Sequence, residues 1–546
     1  MRPRAHPTLL AKLAAETPAR LVKKLDAEPE LALAWTWHAD GRVETSGGEV
    51  VRLHTPDGSL KSLDDLVCSC LLAPRCLHRL AVLSVLEPED GEAGAAPLLR
   101  EERAAEASAA LSATQREACA LLWQMAASFL EAGGQSCGVV GQGQLLRAAF
   151  ACREAGLHRA QASATRVVQG VRALRAEDPA FSLEAWTQAV SELLLVAYSL
   201  HQLGQADRQW IGTARRPYEE VGNLSLWGLF SEPVLTATGY AGVITWLTDR
   251  QGRLYQLPDV APGDPDRVLQ AYRAGTPLPG LSVPHADLAR ARLLIQNATV
   301  SEDGRLGSGQ KVAAAVAGPS LWEDDEVKTL WHRGSSGDAL RFFQGEVMGA
   351  EREVLLVLTD AGPLRLRAPS RDPLPGYDNL RLLARQPGRS WRWIARVDPY
   401  QKRTATVLAV QADGEEGWLG RCNLGCDRMH ASHFSELKAR APTLELPDEP
   451  RPFAELQRAL GRVAMVGRVA ARDNPELRRV WESRGQRTAD HLWGALVSAA
   501  DQGERDLLGF WRASEPEELS RRWLALSVYL DAASKHWSQA GQLEAP

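Results

Sequence analysis

The sequence predicts an α+β multidomain protein. Three observations carry that expectation. A tight cluster of cysteines and a histidine follows a strand-turn-strand pattern near the N-terminus. Helical periodicity runs from 103 to 216 and returns from 446 onward. Between them, residues 217–445 break into short β-prone runs separated by turn signals.

At 546 residues the chain is too long for a single core. Five segments are expected: an N-terminal segment at 1–87, a linker at 88–102, an α-helical domain at 103–216, a β-rich region at 217–445, and a C-terminal α-helical domain at 446–546. Within the first, residues 32–38 and 50–55 alternate as strands. Asp40-Gly41 and Gly47-Gly48 between them suggest a hairpin. Trp35 and Trp37 then share one face, suited to packing against the helix that follows. Residues 77–86 form that helix, stopped by Pro88. The linker is rich in Pro, Gly, Ala and acids.

From 103 to 216, Leu193, Val196, Ala197 and Leu200 recur at helical spacing. Antiparallel helices are the expected outcome. The middle region carries β runs at 242–248, 354–359, 364–367, 391–397 and 405–410. Short helices are expected at 266–273 and 285–293. Barrel or sandwich modules fit this texture best. Trp493, Leu496 and Val497 mark a buried helical face near the C-terminus.

The net charge of −5 gives no global attraction to nucleic acid. No apolar run reaches the roughly 20 residues that cross a bilayer. Lys12 and Glu16 interrupt the one N-terminal candidate for a secretory signal. A cytoplasmic protein with no membrane anchor is expected. Eight cysteines are too few for a disulfide scaffold of this length.

Three of those cysteines fall within nine positions, as Cys68-Ser69-Cys70 and then Cys76-Leu77-His78. Zinc takes four ligands in a tetrahedron and favours thiolate and imidazole. Two closely spaced pairs supply them with little loop-closure cost. The second pair opens a helix, whose N-terminal dipole favours thiolate. Four protein ligands leave no open position for water, so a structural Zn2+ site is expected. On this reading Cys76→Ala loses the zinc and unfolds residues 30–87.

The C-x-C…C-x-H order, after a hairpin and before an apolar helix, resembles the SWIM zinc finger over residues 30–87. The resemblance implies a ββα unit holding zinc and a role in binding DNA or proteins. The stretch 227–257, with DGRLGSG at 303–309, is similar to bacterial SWIM-bearing proteins. Some of those are encoded beside MoxR-type ATPases and von Willebrand A domain proteins. That similarity implies a place in a multi-component bacterial system, with one of those proteins as partner.

Other constellations are weaker. Gly304 to Gly309 has phosphate-loop glycine spacing, but the lysine is displaced and the Ser/Thr is absent. Cys422, Cys426, His430 and His433 form a second possible metal set, against separate packing and surface roles. Cys119, Cys137 and Cys152 read as small apolar packing. No G-x-S-x-G or H-E-x-x-H motif occurs, and no enzymatic activity is expected. Lys61, Arg75 and Arg79 flank the zinc ligands and are candidate phosphate contacts. The leading reading is a protein-interaction or assembly subunit. The alternative is a nucleic-acid-binding protein using the zinc module and its basic flank.

Overall fold

The computed structural model describes residues 3–5, 9–28, 31–55, 58–88, 110–178, 181–213, 218–236, 239–276, 278–281, 283–309, 311–333, 340–412, 420–434, 438, 440–444, 451–507, 511–513, 515 and 517–540. Of the expected linker, only Pro88 lies among them. Helices and sheets are both extensive, so the mixed α+β class holds. The chain divides into two compact units. The first comprises residues 1–215 and 452–530, the second 216–451 and 531–546.

The first unit is mainly helical. Helix Ala113–Ala132 starts at a capping box between Ser112 and Gln115. Ser182 caps Leu183–His201 by accepting from the Ala185 N–H. Asn474 caps Pro475–Ser483, with Pro475 at the first helical position, where its missing N–H costs nothing. One core collects Leu13, Leu80, Trp123, Val167, Leu193, Leu460 and Trp523. Residues from the expected segments 1–87, 103–216 and 446–546 therefore share a single interior, while 216, 446–451 and 531–546 fall in the second unit. Short amphipathic helices such as Leu77–Val85 bury their apolar faces against partners remote in sequence.

Within this unit a four-stranded antiparallel sheet runs in the order Thr36–Trp37, Arg42–Glu44, Val50–Leu53, Leu66–Cys68. This corrects the simple hairpin. Residues Leu31–Ala34 form a 3-10 turn rather than strand. Arg42–Glu44 lies between the two expected strands and pairs with both. Two separate turns explain it. Gly41 and Gly48 both take positive φ, at 80° and 86°, so the chain reverses twice.

The second unit contains two β-sheets, one of five strands and one of six. In the first, the sheet order is Leu254–Pro262, Tyr240–Thr248, Tyr218–Leu235, Ala291–Ser301, Ala313–Pro319. A parallel bridge between Gln256 and Arg305 brings the chain leading to the fifth strand beside the third. The second sheet, a barrel, comprises Leu340–Glu351, Val354–Thr359, Gly362–Arg367, Ser390–Val397 and Thr404–Ala412, with Cys422–Asn423 added as a sixth strand beside the last. It closes through parallel pairing of Arg365–Arg367 with Thr404–Thr406. In each, helical segments bridge the third and fourth strands. In the second sheet, neighbour order 1-2-3-5-4-1 with parallel 3–5 pairing is the connectivity of an OB barrel, which hosts many functions and fixes none. The expected helix 285–293 is shorter, His285–Leu288. Leu293 and Ile295 instead alternate inward on the strand Ala291–Ser301.

A buried polar chain ties the first sheet to its bridging helices. His285 Nδ1 lies 2.8 Å from Thr245 Oγ1, which lies 2.7 Å from Ser231 Oγ. Ser231 Oγ donates to the His285 carbonyl at 3.2 Å. All three side chains are fully buried. Burial pushes the His285 imidazole down to about 4, with Asp259 pulling weakly the other way. The unfolded chain gains a proton near 6.5, while the fold resists one until about 4. His285 therefore favours the fold fully above pH 6.5, and that contribution drains away on acidification. We expect the second unit to lose about 3 kcal/mol between pH 6.5 and 4. Urea midpoints followed by tryptophan fluorescence check this. His285→Gln should flatten the pH dependence, and an unchanged slope would refute the assignment.

Candidate metal centre

Cys68 ends the strand Leu66–Cys68, held in register opposite Val51. The Ser69 hydroxyl accepts from Val50 N–H at 2.8 Å and keeps the next residue close to the sheet. Cys76 is the N-cap of helix Leu77–Val85, in extended conformation. His78 follows in the first helical turn. A strand end and a helix start thus converge, and all four candidate ligands meet. One donor atom from each of Cys68, Cys70, Cys76 and His78 lies within 4.8 Å of every other.

The spacing suits a common ion. Cys68 Sγ is 3.7 Å from His78 Nδ1. A tetrahedral ion with ordinary zinc bond lengths places sulfur and nitrogen about 3.6 Å apart. Trp35 is buried and stands edge-on to the His78 ring, 5.6 Å between centroids at 73°. That contact holds the imidazole in place.

The electrostatics also call for a cation. Burial pushes the Cys68 thiol up to about 12, and the neighbouring Cys76 and Cys70 sulfurs add to it. Burial raises Cys76 too, against a backbone N–H bond from Arg79. Three sulfurs so close cannot all ionise without a compensating positive charge. A divalent ion supplies it, and binding then releases protons. The donor set of three sulfurs and one nitrogen can hold a metal ion, and it fits the softer thiophilic metals.

The candidate phosphate contacts differ in exposure. Lys61 and Arg75 are exposed. Arg79 is buried and serves the fold, donating to the carbonyls of Pro74 and Leu63. It clamps the metal loop to the turn at Leu63–Asp65. This corrects its reading as a phosphate ligand, because a guanidinium spent on two buried carbonyls is withdrawn from solvent. We expect Arg79→Ala to cost about 2–4 kcal/mol by leaving those carbonyls unpaired, with the metal retained. Urea unfolding alongside metal analysis tests this; loss of metal with unchanged stability would reverse the assignment.

The second candidate metal set does not assemble. Cys422 and Cys426 are buried in separate hydrophobic clusters. His430 and His433 pack against each other near the surface, ring centroids 5.2 Å apart. Among the described residues, Cys68, Cys70, Cys76 and His78 form the one group of three or more potential ligands. Cys119 and Cys152 are buried, with burial alone pushing Cys119 up to about 11. Gly304, in the glycine-rich stretch, is a turn residue with φ 79°.

One feature escaped sequence reasoning. An open groove of about 630 Å3 lies on the four-stranded sheet, lined by Asp40, Arg42, Arg52, His54, Asp65 and Val67. Its residues come from three strands and two turns, so no local motif announces it. Val67, Leu71 and Leu72 are exposed nearby in sequence. No helix among the described residues is long and apolar enough to cross a membrane.

No family model matches the chain, and no curated protein matches it. A solved chain described as "Structural mimicry for functional antagonism" aligns with 36% of this chain and 92% of its own length. Its identity is 9% and its TM-score 0.18, too loose a superposition to bear on fold or function.

Proposed function

We propose that the chain binds one structural zinc ion through Cys68, Cys70, Cys76 and His78, and acts as a protein-interaction or assembly subunit rather than an enzyme. The observation that carries this reading is the convergence of four donors from two short sequence pairs. Four ligands complete a tetrahedron and leave no position for a reacting water. The ligand order and the strand-then-helix setting support a SWIM-type module. The exposed aliphatics Val67, Leu71 and Leu72 favour a protein partner over a polyanion. A MoxR-type ATPase or a von Willebrand A domain protein is the partner class we put forward.

The test is a single purified sample assayed for metal and for binding to each candidate partner from the same host. One zinc per chain supports the first half. A complex that survives a rise from about 0.1 M to 1 M salt supports the second, since exposed ion pairs are screened over that range. Absence of zinc, or binding that collapses with salt, overturns the corresponding half.

Nucleic-acid binding is the second reading, and the OB connectivity of the second sheet favours it. Against it, Arg365 and Arg367 on the third strand of that sheet are already engaged, with Glu351 and with Asp398 and Gln401. Anisotropy with a labelled single strand separates the readings, because phosphate-driven affinity falls steeply with salt.

A further inference from the structure

We infer that Cys70 is a peroxide-reactive sulfur, and that its oxidation to a Cys70–Cys76 disulfide ejects the metal. The inference rests on the zinc reading above and adds a regulatory chemistry to it. The three sulfurs are not equivalent. Cys68 is 6% exposed and Cys76 1%, while Cys70 is only half-buried. Leu71, the next residue, is fully exposed, so the loop opens to solvent at Cys70. The Cys68 sulfur accepts the Cys70 N–H at 3.5 Å, and the Cys76 sulfur accepts from Arg79. Such bonds draw charge from those two sulfurs. No backbone N–H is directed at the Cys70 sulfur among the described residues. A metal-bound sulfur stays nucleophilic, and Cys70 is the one of the three that is not buried.

The chemistry balances with a hydroperoxide as oxidant. The Cys70 sulfur attacks one peroxide oxygen, the O–O bond breaks, and hydroxide leaves as water after taking a proton. Cys70 is then a sulfenic acid. The Cys76 thiolate attacks the Cys70 sulfur, and a second hydroxide leaves as water after taking another proton. Two sulfurs have lost two electrons and hydrogen peroxide has gained them. Cys76 is the resolving thiol because its sulfur lies within 4.8 Å and residues 71–75 give the loop room to close. Cys68 is separated from Cys70 by one residue, which strains a disulfide. Cys68 and His78 remain as a two-ligand remnant that cannot hold the ion.

The experiment uses the full-length protein, with zinc measured first. It is then titrated with hydrogen peroxide, zinc release is followed with a chromogenic chelator, and peptides are mapped by mass. One equivalent of peroxide should free the zinc and link Cys70 to Cys76, and a thiol reductant with added zinc should reverse both. Cys70→Asp keeps a metal ligand that peroxide does not attack, so its zinc release should be at least about tenfold slower. Protein isolated without zinc overturns the metal reading itself. Zinc that is present but stays bound through excess peroxide, or leaves without the 70–76 link, overturns the switch alone.

Discussion

Cys76→Ala should strip the metal and loosen the loop that carries it, while the rest of the first unit stays folded. Cys76 is 1% exposed and caps the helix Leu77–Val85, so its loss removes a ligand at the junction of loop and helix. Structural zinc sites of this ligand type bind with apparent free energies of about 10–16 kcal/mol in small peptides. Three remaining ligands retain only part of that. The extent of unfolding is narrower than the 30–87 expected from the sequence. Leu80, Ala81, Val82 and Leu83 are buried in the core that also holds Leu9, Leu13 and Leu145. The helix therefore stays anchored without the ion. Hydrogen exchange should accelerate across residues 66–79 and remain slow across 113–201. Metal analysis should show wild type near one zinc per chain and the variant near none. Equal zinc in both proteins would sink the ligand assignment.

The second large effect is expected at Gly133. It ends the helix Ala113–Ala132 with φ 81° and ψ 154°, a region open almost only to glycine. A Cβ there would lie 2.3 Å from Gly467 N and 2.4 Å from Val466 C. Gly467 ends Ala454–Val466 in the same way, and its own Cβ would meet Glu131 O at 2.4 Å. Two helix ends meet backbone to backbone, with no flexible side chain to give way. Gly133→Ala should cost at least about 4 kcal/mol, on the order of a 10 °C fall in melting temperature. Gly156→Ala is the control: its φ is 75°, but nothing lies within 4 Å of the added carbon. It should cost only about 1 kcal/mol. If the two variants melt alike, the close approach is not present in the protein.

The metal cluster was legible because its four ligands are local, two pairs within eleven residues. The helix after it was legible because Leu77, Leu80, Ala81 and Leu83 repeat at helical spacing before Pro88. The strand Arg42–Glu44 was not, since three residues cannot display a period and its two turns look like one loop. Arg79 looked like a surface cation because its carbonyl partner at Leu63 lies sixteen residues back. The β-rich middle was suggested by short β runs. Closure of its second sheet was not, because it depends on pairing Arg365–Arg367 with a strand that begins near Thr404. The common interior of the first unit was invisible for the same reason. Hydrophobic periodicity says which face is buried and not against what.

That interior has a consequence for synthesis on the ribosome. Helix Ala454–Val466, which docks against Leu183–His201, is made only after the whole of 216–451 has emerged. At ordinary elongation rates those 236 residues (451 − 216 + 1) take about 10–50 s. The sheets of the second unit can mature during that interval, while the leading helices wait with part of their apolar surface uncovered. A stalled or truncated chain ending before 452 would be the aggregation-prone product, and a nascent-chain binding factor would find its footing on the early helices.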